Sequence, residues 1–117
     1  MIKVTTVALA AIAASLVSMP VAAEETGLSG IHAQKREGNR ICMESHYHYG
    51  SSSGQKSRKL AEEAAIRDWA GFTAWEYGTP WGSYKLAASK NLSCTQTSDT
   101  WSCQAEARPC KTYRRGK

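Results

Sequence analysis

Residues 84–107 have the sequence YKLAASKNLSCTQTSDTWSCQAEA, in which apolar and polar side chains alternate on both sides of a polar cluster. Alternation with a period of two is typical of a half-buried β-strand, and residues 97–100 have the composition of a turn. A two-residue loop at positions 98–99 pairs residues whose numbers sum to 197. Because 94 and 103 have this sum, the register predicts a β-hairpin in which Cys94 lies opposite Cys103.

Residues 57–77, which precede the hairpin, are predicted to form an α-helix. Ser57 is a favourable N-cap, Gly78 is a favourable C-cap, and Pro80 prevents the helix from continuing. Four apolar side chains fall on one stripe of this helix. They are Ala61, Ala65, Trp69 and Phe72. The small alanines allow a sheet to approach closely, and we expect the two aromatic side chains to supply most of the buried area.

The rest of the chain completes an α+β fold in this interpretation. Residues 40–49 alternate in the manner of a further strand, which gives the element order strand-helix-strand-strand. We therefore expect a single domain over residues 40–110, with one helix packed on a small antiparallel sheet that is stapled by two disulfides. Residues 24–39 are predicted to be a flexible N-terminal arm, and residues 111–117 a frayed basic tail.

Residues 1–23 have the layout of a secretory signal peptide. A basic start is followed by an uncharged apolar run of 13 residues, and small residues precede the junction between Ala23 and Glu24. The run is shorter than the roughly 20 residues that a transmembrane helix needs. The sequence therefore predicts a periplasmic or secreted protein that has no transmembrane span after cleavage.

Length and composition restrict the class of protein. The chain has 117 residues, of which 42% are hydrophobic and 21% are charged, the balance of a folded domain rather than of a disordered chain. This length allows one domain and excludes a TIM barrel or a Rossmann dehydrogenase. No nucleophile elbow, H-E-x-x-H motif or phosphate-binding loop occurs. A non-enzymatic binding domain is therefore favoured over an enzyme.

The four cysteines, Cys42, Cys94, Cys103 and Cys110, predict two disulfide bonds. An even number of cysteines in a short exported domain is typical of a disulfide framework, and four cysteines allow three connectivities. The hairpin register favours the Cys94–Cys103 bond, which leaves Cys42 for Cys110. The rival pairing, 42–94 with 103–110, stays open. The absence of any C-x-x-C pair argues against a thiolate zinc site.

Positive charge concentrates near the C-terminus. Residues 85–117 hold seven basic and two acidic side chains, with Tyr113 among them. Basic residues interleaved with aromatic ones bind anionic ligands, although many such runs are only solvated tails. In an exported protein the expected partner is an anionic envelope polymer or lipid headgroups rather than intracellular nucleic acid. The candidate anion-binding residues are Lys85, Lys90, Arg108, Lys111, Arg114, Arg115 and Lys117.

A second hypothesis is a metal site on the predicted strand 40–49. Because side chains on a strand alternate between its faces, Glu44, His46 and His48 would project from one face. Imidazole and carboxylate ligands suit Zn²⁺ or Cu²⁺, and no other cofactor is predicted. The alternative is an exposed polar face with Tyr47 and Tyr49 turned toward the core.

A third hypothesis rests on aromatic residues that crowd the predicted end of the helix. They are Trp75, Tyr77, Trp81 and Tyr84, and they surround a stretch that contains glycine and proline. Such a patch can stack a sugar or a peptide in a small enzyme or an inhibitor. It can equally form the core of a small domain that has a single phenylalanine.

Three motifs resemble those of short exported proteins of Gram-negative bacteria. They are A-A-I-x-x-W at 64–69, Y-G-x-x-W at 77–81 and W-x-C-x-x-x-A-x-P-C at 101–110. The resemblance covers about half of the chain that follows the signal peptide. It implies export and disulfide bonds, and it implies no activity, cofactor or catalytic residue.

Overall fold

The computed structural model describes residues 24–114, which form two three-stranded antiparallel sheets and one α-helix. In chain order the elements are a 3₁₀ helix (Leu28–Ile31), β1 (Gln34–Glu37), β2 (Arg40–Met43), β3 (His48–Ser51), α1 (Arg58–Tyr77), a second 3₁₀ helix (Thr79–Trp81), β4 (Ala88–Thr97), β5 (Thr100–Arg108) and β6 (Cys110–Thr112). The strand orders are β1-β2-β6 and β3-β5-β4. The α+β class and the two disulfides are confirmed, with two sheets where one was predicted. The predicted signal peptide lies outside the described residues.

The hairpin of β4 and β5 has the predicted register. Cys94 pairs with Cys103 and Thr97 with Thr100, so that positions 98–99 form the two-residue loop. The Cys94 and Cys103 Cα atoms are 4.1 Å apart, and their sulfurs are bonded. The predicted first strand is interrupted near its start, because the register shifts between positions 88 and 91, where Ser89 has a positive φ of 52°.

Helix α1 begins and ends where its caps predict. The Ser57 side chain accepts a hydrogen bond from the Leu60 amide, and the Gly78 amide donates to the Ala74 carbonyl. Its buried face packs on β3 and β5 and consists of Ala61, Ala65, Trp69, Thr73 and Tyr77. The expectation for Phe72 was wrong, because this side chain is 45% exposed. Phe72 lies on the margin of the buried stripe, and its ring centroid is 4.9 Å from that of His48.

Residues 40–49 are two strands in different sheets rather than one strand. β2 pairs with β1 and β6, β3 pairs with β5, and residues 44–47 connect the two sheets. The predicted faces are also exchanged, because His48 is buried and Tyr49 is 55% exposed. His48 faces α1, where hydrogen-bonding groups on the helix accommodate its ring.

The N-terminal segment is more ordered than the arm that was predicted over residues 24–39. It contains the first 3₁₀ helix and β1, which forms a hairpin with β2 around Gly38. The Thr26 amide donates to the Tyr77 carbonyl at the C-terminus of α1. Gly78, with a φ of 104°, touches the backbone of Glu24 so closely that a Cβ atom would not fit. Order here depends on docking to the helix end, which local composition does not encode.

The chain passes from one sheet to the other where β5 is followed by β6. β6 pairs with β2, so the first residues of the predicted tail belong to a strand. The Cys42–Cys110 bond lies within this pair, with Cα atoms 4.0 Å apart. Each sheet therefore carries one disulfide across two of its strands. Within the described range, no helix is long and apolar enough to cross a membrane.

Candidate anion-binding site

A groove of about 680 Å³ lies between β6 and the second 3₁₀ helix. Its lining residues are Glu25, Ile41, Thr79, Pro80, Lys111, Thr112, Tyr113 and Arg114. They come from four parts of the chain: the N-terminal segment, β2, the residues after α1, and β6 with the two residues that follow it. The groove has the volume and the mixed polar and apolar lining of a small-ligand site.

A row of side chains crosses the sheet β1-β2-β6 and enters the groove at Ile41 and Lys111. Arg36 pairs with Ile41, and Ile41 pairs with Lys111. Directly paired residues project from the same face, so all three side chains lie on the groove side of the sheet. Because neighbouring strands are about 4.8 Å apart, the backbones of Arg36 and Lys111 are separated by about 10 Å. Lys111 therefore lies on one side of Ile41 within the groove, and Arg36 lies on the other side, at the margin of the groove beside Tyr113.

Tyr113 forms a wall of the groove and is held by the β1–β2 hairpin. Its amide donates to the Asn39 carbonyl at 2.8 Å, and the Arg36 guanidinium lies 4.2 Å from its ring centroid. The Arg36 Nε donates to the Gly38 carbonyl at 3.0 Å. Its two Nη groups make no hydrogen bond to another described residue, so they are free to donate to a ligand.

The groove contains one carboxylate, which is held in place by two donors. Lys111 Nζ lies 2.9 Å from Glu25 Oε1, and Trp81 Nε1 donates to the same oxygen at 2.7 Å. The hydrogen bonds from Lys111 and then from Trp81 lower the pKa of Glu25. Because Glu25 offsets the charge of Lys111, the excess positive charge of the groove comes from Arg114, and Arg36 adds a further positive charge at its margin.

The structure separates the seven candidate anion-binding residues. Lys111 and Arg114 line the groove, whereas Lys85 and Lys90 lie next to or within β4 in the other sheet. Arg115 and Lys117 lie outside the described residues. Arg108 was wrongly placed among the ligand-binding residues, because its guanidinium is buried and bonded to Glu37. Two of the seven therefore meet at one site.

Sequence reasoning missed Arg36, since residues 24–39 were interpreted as an arm. The signal that predicts its position is the sequence QKREGNRICM at 34–43. A Gly-Asn pair between two short segments is a two-residue hairpin loop in many proteins. That hairpin would have placed the Lys35–Arg36 pair in a strand, although nothing local predicts its contact with Tyr113.

The E-x-H-x-H strand face is not formed, because the predicted strand is broken between β2 and β3. Glu44 is exposed in the connection, His46 stacks on His32 with centroids 3.8 Å apart, and His48 is buried. Over residues 24–114, no three His, Cys, Asp or Glu side chains gather in an arrangement that could hold a metal ion.

His48 belongs to a buried hydrogen-bond network on α1. Its Nδ1 lies 2.9 Å from Thr73 Oγ1, and its Nε2 lies 3.2 Å from the Tyr77 hydroxyl. The Thr73 hydroxyl donates its own proton to the Trp69 carbonyl, so this network assigns the His48 proton to Nδ1. Nε2 then accepts from Tyr77, and the Glu76 carboxylate lies 3.3 Å from the same nitrogen. Burial lowers the pKa of His48 to about 4, and the neighbouring His46 and His32 act in the same direction.

Acidification is expected to destabilise the protein through His48. The unfolded chain takes up the proton near the ordinary pKa of 6.5, whereas the folded protein resists it down to about 4. The contribution is therefore complete above about pH 6.5, and the free energy of unfolding falls by up to about 3 kcal/mol as the pH is lowered to 4. Urea unfolding across this range measures the loss.

The matched variant for this pH series is His48→Gln, which cannot titrate at this position. Its free energy of unfolding should change less over the same range than that of the wild type. Glu25 and Glu37, whose pKa values are lowered from 4.5, contribute mainly below this window, whereas burial also lowers the pKa of His46, which leaves part of the slope in the variant. Equal slopes for the two proteins between pH 6.5 and 4 would show that His48 does not carry the effect.

The four residues of the predicted aromatic patch do not share a surface. Tyr77 and Trp81 are completely buried and pack edge-on with centroids 6.2 Å apart. Tyr84 packs against Trp69, with ring centroids 5.3 Å apart, in a different core cluster. Trp75 is 77% exposed, and its nearest aromatic partner is Phe72 on the same helix. Most of this set is therefore core, which was the alternative interpretation.

Comparison with known proteins identifies no family for this chain. No protein-family model matches it, and comparisons with curated proteins and with solved structures gave no match. The function is therefore inferred from the groove and its residues.

Proposed function

We propose that this protein is an exported, non-enzymatic binding domain that contacts an anionic envelope polymer through the groove beside β6. The single observation that carries the proposal is the row Arg36–Ile41–Lys111, which continues into Tyr113. Export to the periplasm or the medium is part of the proposal. It is supported by two disulfide bonds, which persist in oxidising compartments.

The donors of the groove suit carboxylate or phosphate groups. Arg36 and Arg114 present guanidinium groups, which bind such anions through paired N–H donors. Lys111 adds an ammonium group, and its partner Glu25 can accept hydrogen bonds from ligand hydroxyls. The expected ligand is therefore both anionic and hydroxylated.

The shape and the apolar parts of the groove favour a sugar chain over a lipid surface. The Tyr113 ring and Pro80 provide walls against which a sugar ring can pack, and Thr79 lies beside them. A concave groove encloses a chain of rings, whereas a membrane surface is met by a flat or convex basic face. We therefore propose an acidic polysaccharide as the ligand class.

The test is binding to polygalacturonate with neutral dextran as the comparison polymer. The double variant Arg36→Gln/Arg114→Gln is expected to weaken binding by roughly tenfold or more, because two charge-assisted contacts are lost. Wild-type binding should weaken with added salt, and the variant should show a shallower salt dependence. Titration calorimetry at two salt concentrations provides both measurements.

A matched control separates the groove from net charge. Lys85→Gln/Lys90→Gln also removes two positive charges, but from residues in or next to β4 rather than from the groove. This variant should retain most of the affinity. Equal losses in the two double variants would mean that net charge alone attracts the polymer. Binding to phosphatidylglycerol vesicles but not to the polysaccharide would identify a lipid headgroup ligand and contradict the proposal.

A further inference from the structure

Strand β4 is an open edge of the sheet β3-β5-β4. It pairs with β5 along one side, and on its other side no described residue bonds to its backbone. Cys94 and Cys103 have Cα atoms only 4.1 Å apart, as in antiparallel pairs that do not exchange hydrogen bonds with each other. Hydrogen-bonded and non-hydrogen-bonded pairs alternate along the two strands. The N–H and C=O groups of Leu92, Cys94 and Gln96 therefore point away from β5. Six backbone groups therefore face outward.

This edge lacks the features that usually prevent strands from pairing. Proteins protect open edges with charged residues, prolines, bulges or very short strands. From position 91 to position 98, β4 and its turn contain no charged residue and no proline. The register shift lies at the other end, between positions 88 and 91. Seven consecutive residues can therefore accept another strand.

We propose that β4 pairs antiparallel with β4 of a second copy of this chain, around a two-fold axis at Cys94. The three outward-facing positions are spaced symmetrically about residue 94. In this register Leu92 lies opposite Gln96 of the other copy, and Cys94 lies opposite its counterpart. All six outward backbone groups of each copy are then paired, whereas shifting the strands leaves some unpaired. The two sheets become one sheet of six strands.

The side chains agree with this register. On the face away from α1, Ser93 lies opposite Thr95 of the other copy, and Asn91 opposite Thr97, so that polar uncharged side chains meet. The charged residues that bound the edge are Lys90 and Asp99. The two-fold axis brings Lys90 of each copy next to Asp99 of the other. Opposite charges therefore meet at both ends of the paired strands.

Helix α1 leaves the β4 edge of the sheet β3-β5-β4 largely uncovered. α1 packs mainly on β5 and β3 and touches β4 much less. A second sheet can therefore continue past β4 without meeting α1 of the first copy. The two-fold register, the charge arrangement and this open side together favour a second copy over an unrelated extended peptide, which would have no symmetric partner for Lys90 and Asp99.

The test is the concentration dependence of mass, measured by sedimentation equilibrium. The wild-type mass should rise to that of a dimer. Ser93→Lys/Thr95→Lys places lysines opposite lysines across the axis and should raise the dissociation constant by tenfold or more. Ser93→Lys/Thr95→Glu places opposite charges there and should restore the dimer. Both positions are exposed, so the fold of each copy is unaffected.

Two further variants keep the result interpretable. Ser51→Lys/Ser53→Lys adds the same charge on and beside β3, at the opposite edge, and should dimerise like the wild type. Gln96→Pro removes an outward N–H that the β4–β5 pairing does not use, and it should abolish the dimer while both disulfides form. A wild type that stays monomeric at every concentration overturns the proposal. So does a dimer that survives both Gln96→Pro and the double-lysine variant.

Discussion

Replacing Gly50 with Ala is expected to unfold the protein or to lower its free energy of unfolding by about 3 kcal/mol or more, which is the upper end for overpacking a core. Gly50 lies on the face of β3 that meets α1. A Cβ atom there would collide with the Ala65 carbonyl oxygen and with the Trp69 amide nitrogen. Both atoms belong to the helix backbone, so no side-chain rotation relieves the collision.

Gly71→Ala is the matched control for this substitution. Gly71 lies in α1, and a Cβ atom there has open space around it. Ala is the better helix former, so this variant should be more stable than the wild type by roughly 0.5–1 kcal/mol. Thermal unfolding should therefore move in opposite directions for the two substitutions. A melting temperature for Gly50→Ala within experimental error of the wild type would mean that β3 and α1 are less closely packed.

Arg108→Met is expected to cost about 3 kcal/mol, the lower end of the loss when one partner of a buried ion pair is removed, because the Glu37 side chain is 26% exposed. Arg108 is 7% exposed, and its guanidinium donates to Glu37, to the Met43 carbonyl and to the Ser89 hydroxyl. These partners come from β1, β2 and the start of β4. The substitution therefore leaves the buried Met43 carbonyl and the partly exposed Glu37 carboxylate without this donor, and it removes a link between the two sheets.

Urea unfolding at neutral pH measures this loss, and Arg58→Ala provides the comparison. Arg58 forms an ion pair with Glu62 on the surface of α1, where it is largely exposed. Breaking that pair should change the free energy of unfolding by no more than about 0.5 kcal/mol. If Arg108→Met cost as little as Arg58→Ala, the interpretation of Arg108 as a link between the sheets would be wrong.

The same residue illustrates the limit of reasoning from charge along the chain. Arg108 stands in a basic C-terminal region, and the local charge count placed it on a ligand-binding surface. Its buried position follows from Glu37, which is 71 residues away in sequence. Conversely, Arg36 lies in a stretch of mixed charge and reaches the groove because β1 and β6 both pair with β2. The charge pattern of the sequence therefore identifies the partner of a charged residue only when the fold that brings the two residues together is known.

Strand boundaries show a related limit. The alternation over residues 40–49 continues through the connection at 44–47, so periodicity alone does not show that the chain leaves one sheet and enters the other. Periodicity also did not show which side of β3 faces the helix. It depends on Thr73 and Tyr77, which provide hydrogen-bond partners for His48, and on the absence of a side chain at Gly50.

By itself, the sequence determined the features whose partners are close along the chain. The hairpin register, the Cys94–Cys103 bond and the limits of α1 follow from turn composition, alternation and capping groups a few residues apart. Only the tertiary structure decided the division into two sheets, the buried role of Arg108 and the groove at Arg36, Lys111 and Tyr113. These features depend on contacts between distant segments, whose free energy comes from burial and from the pairing of buried polar groups rather than from local preference.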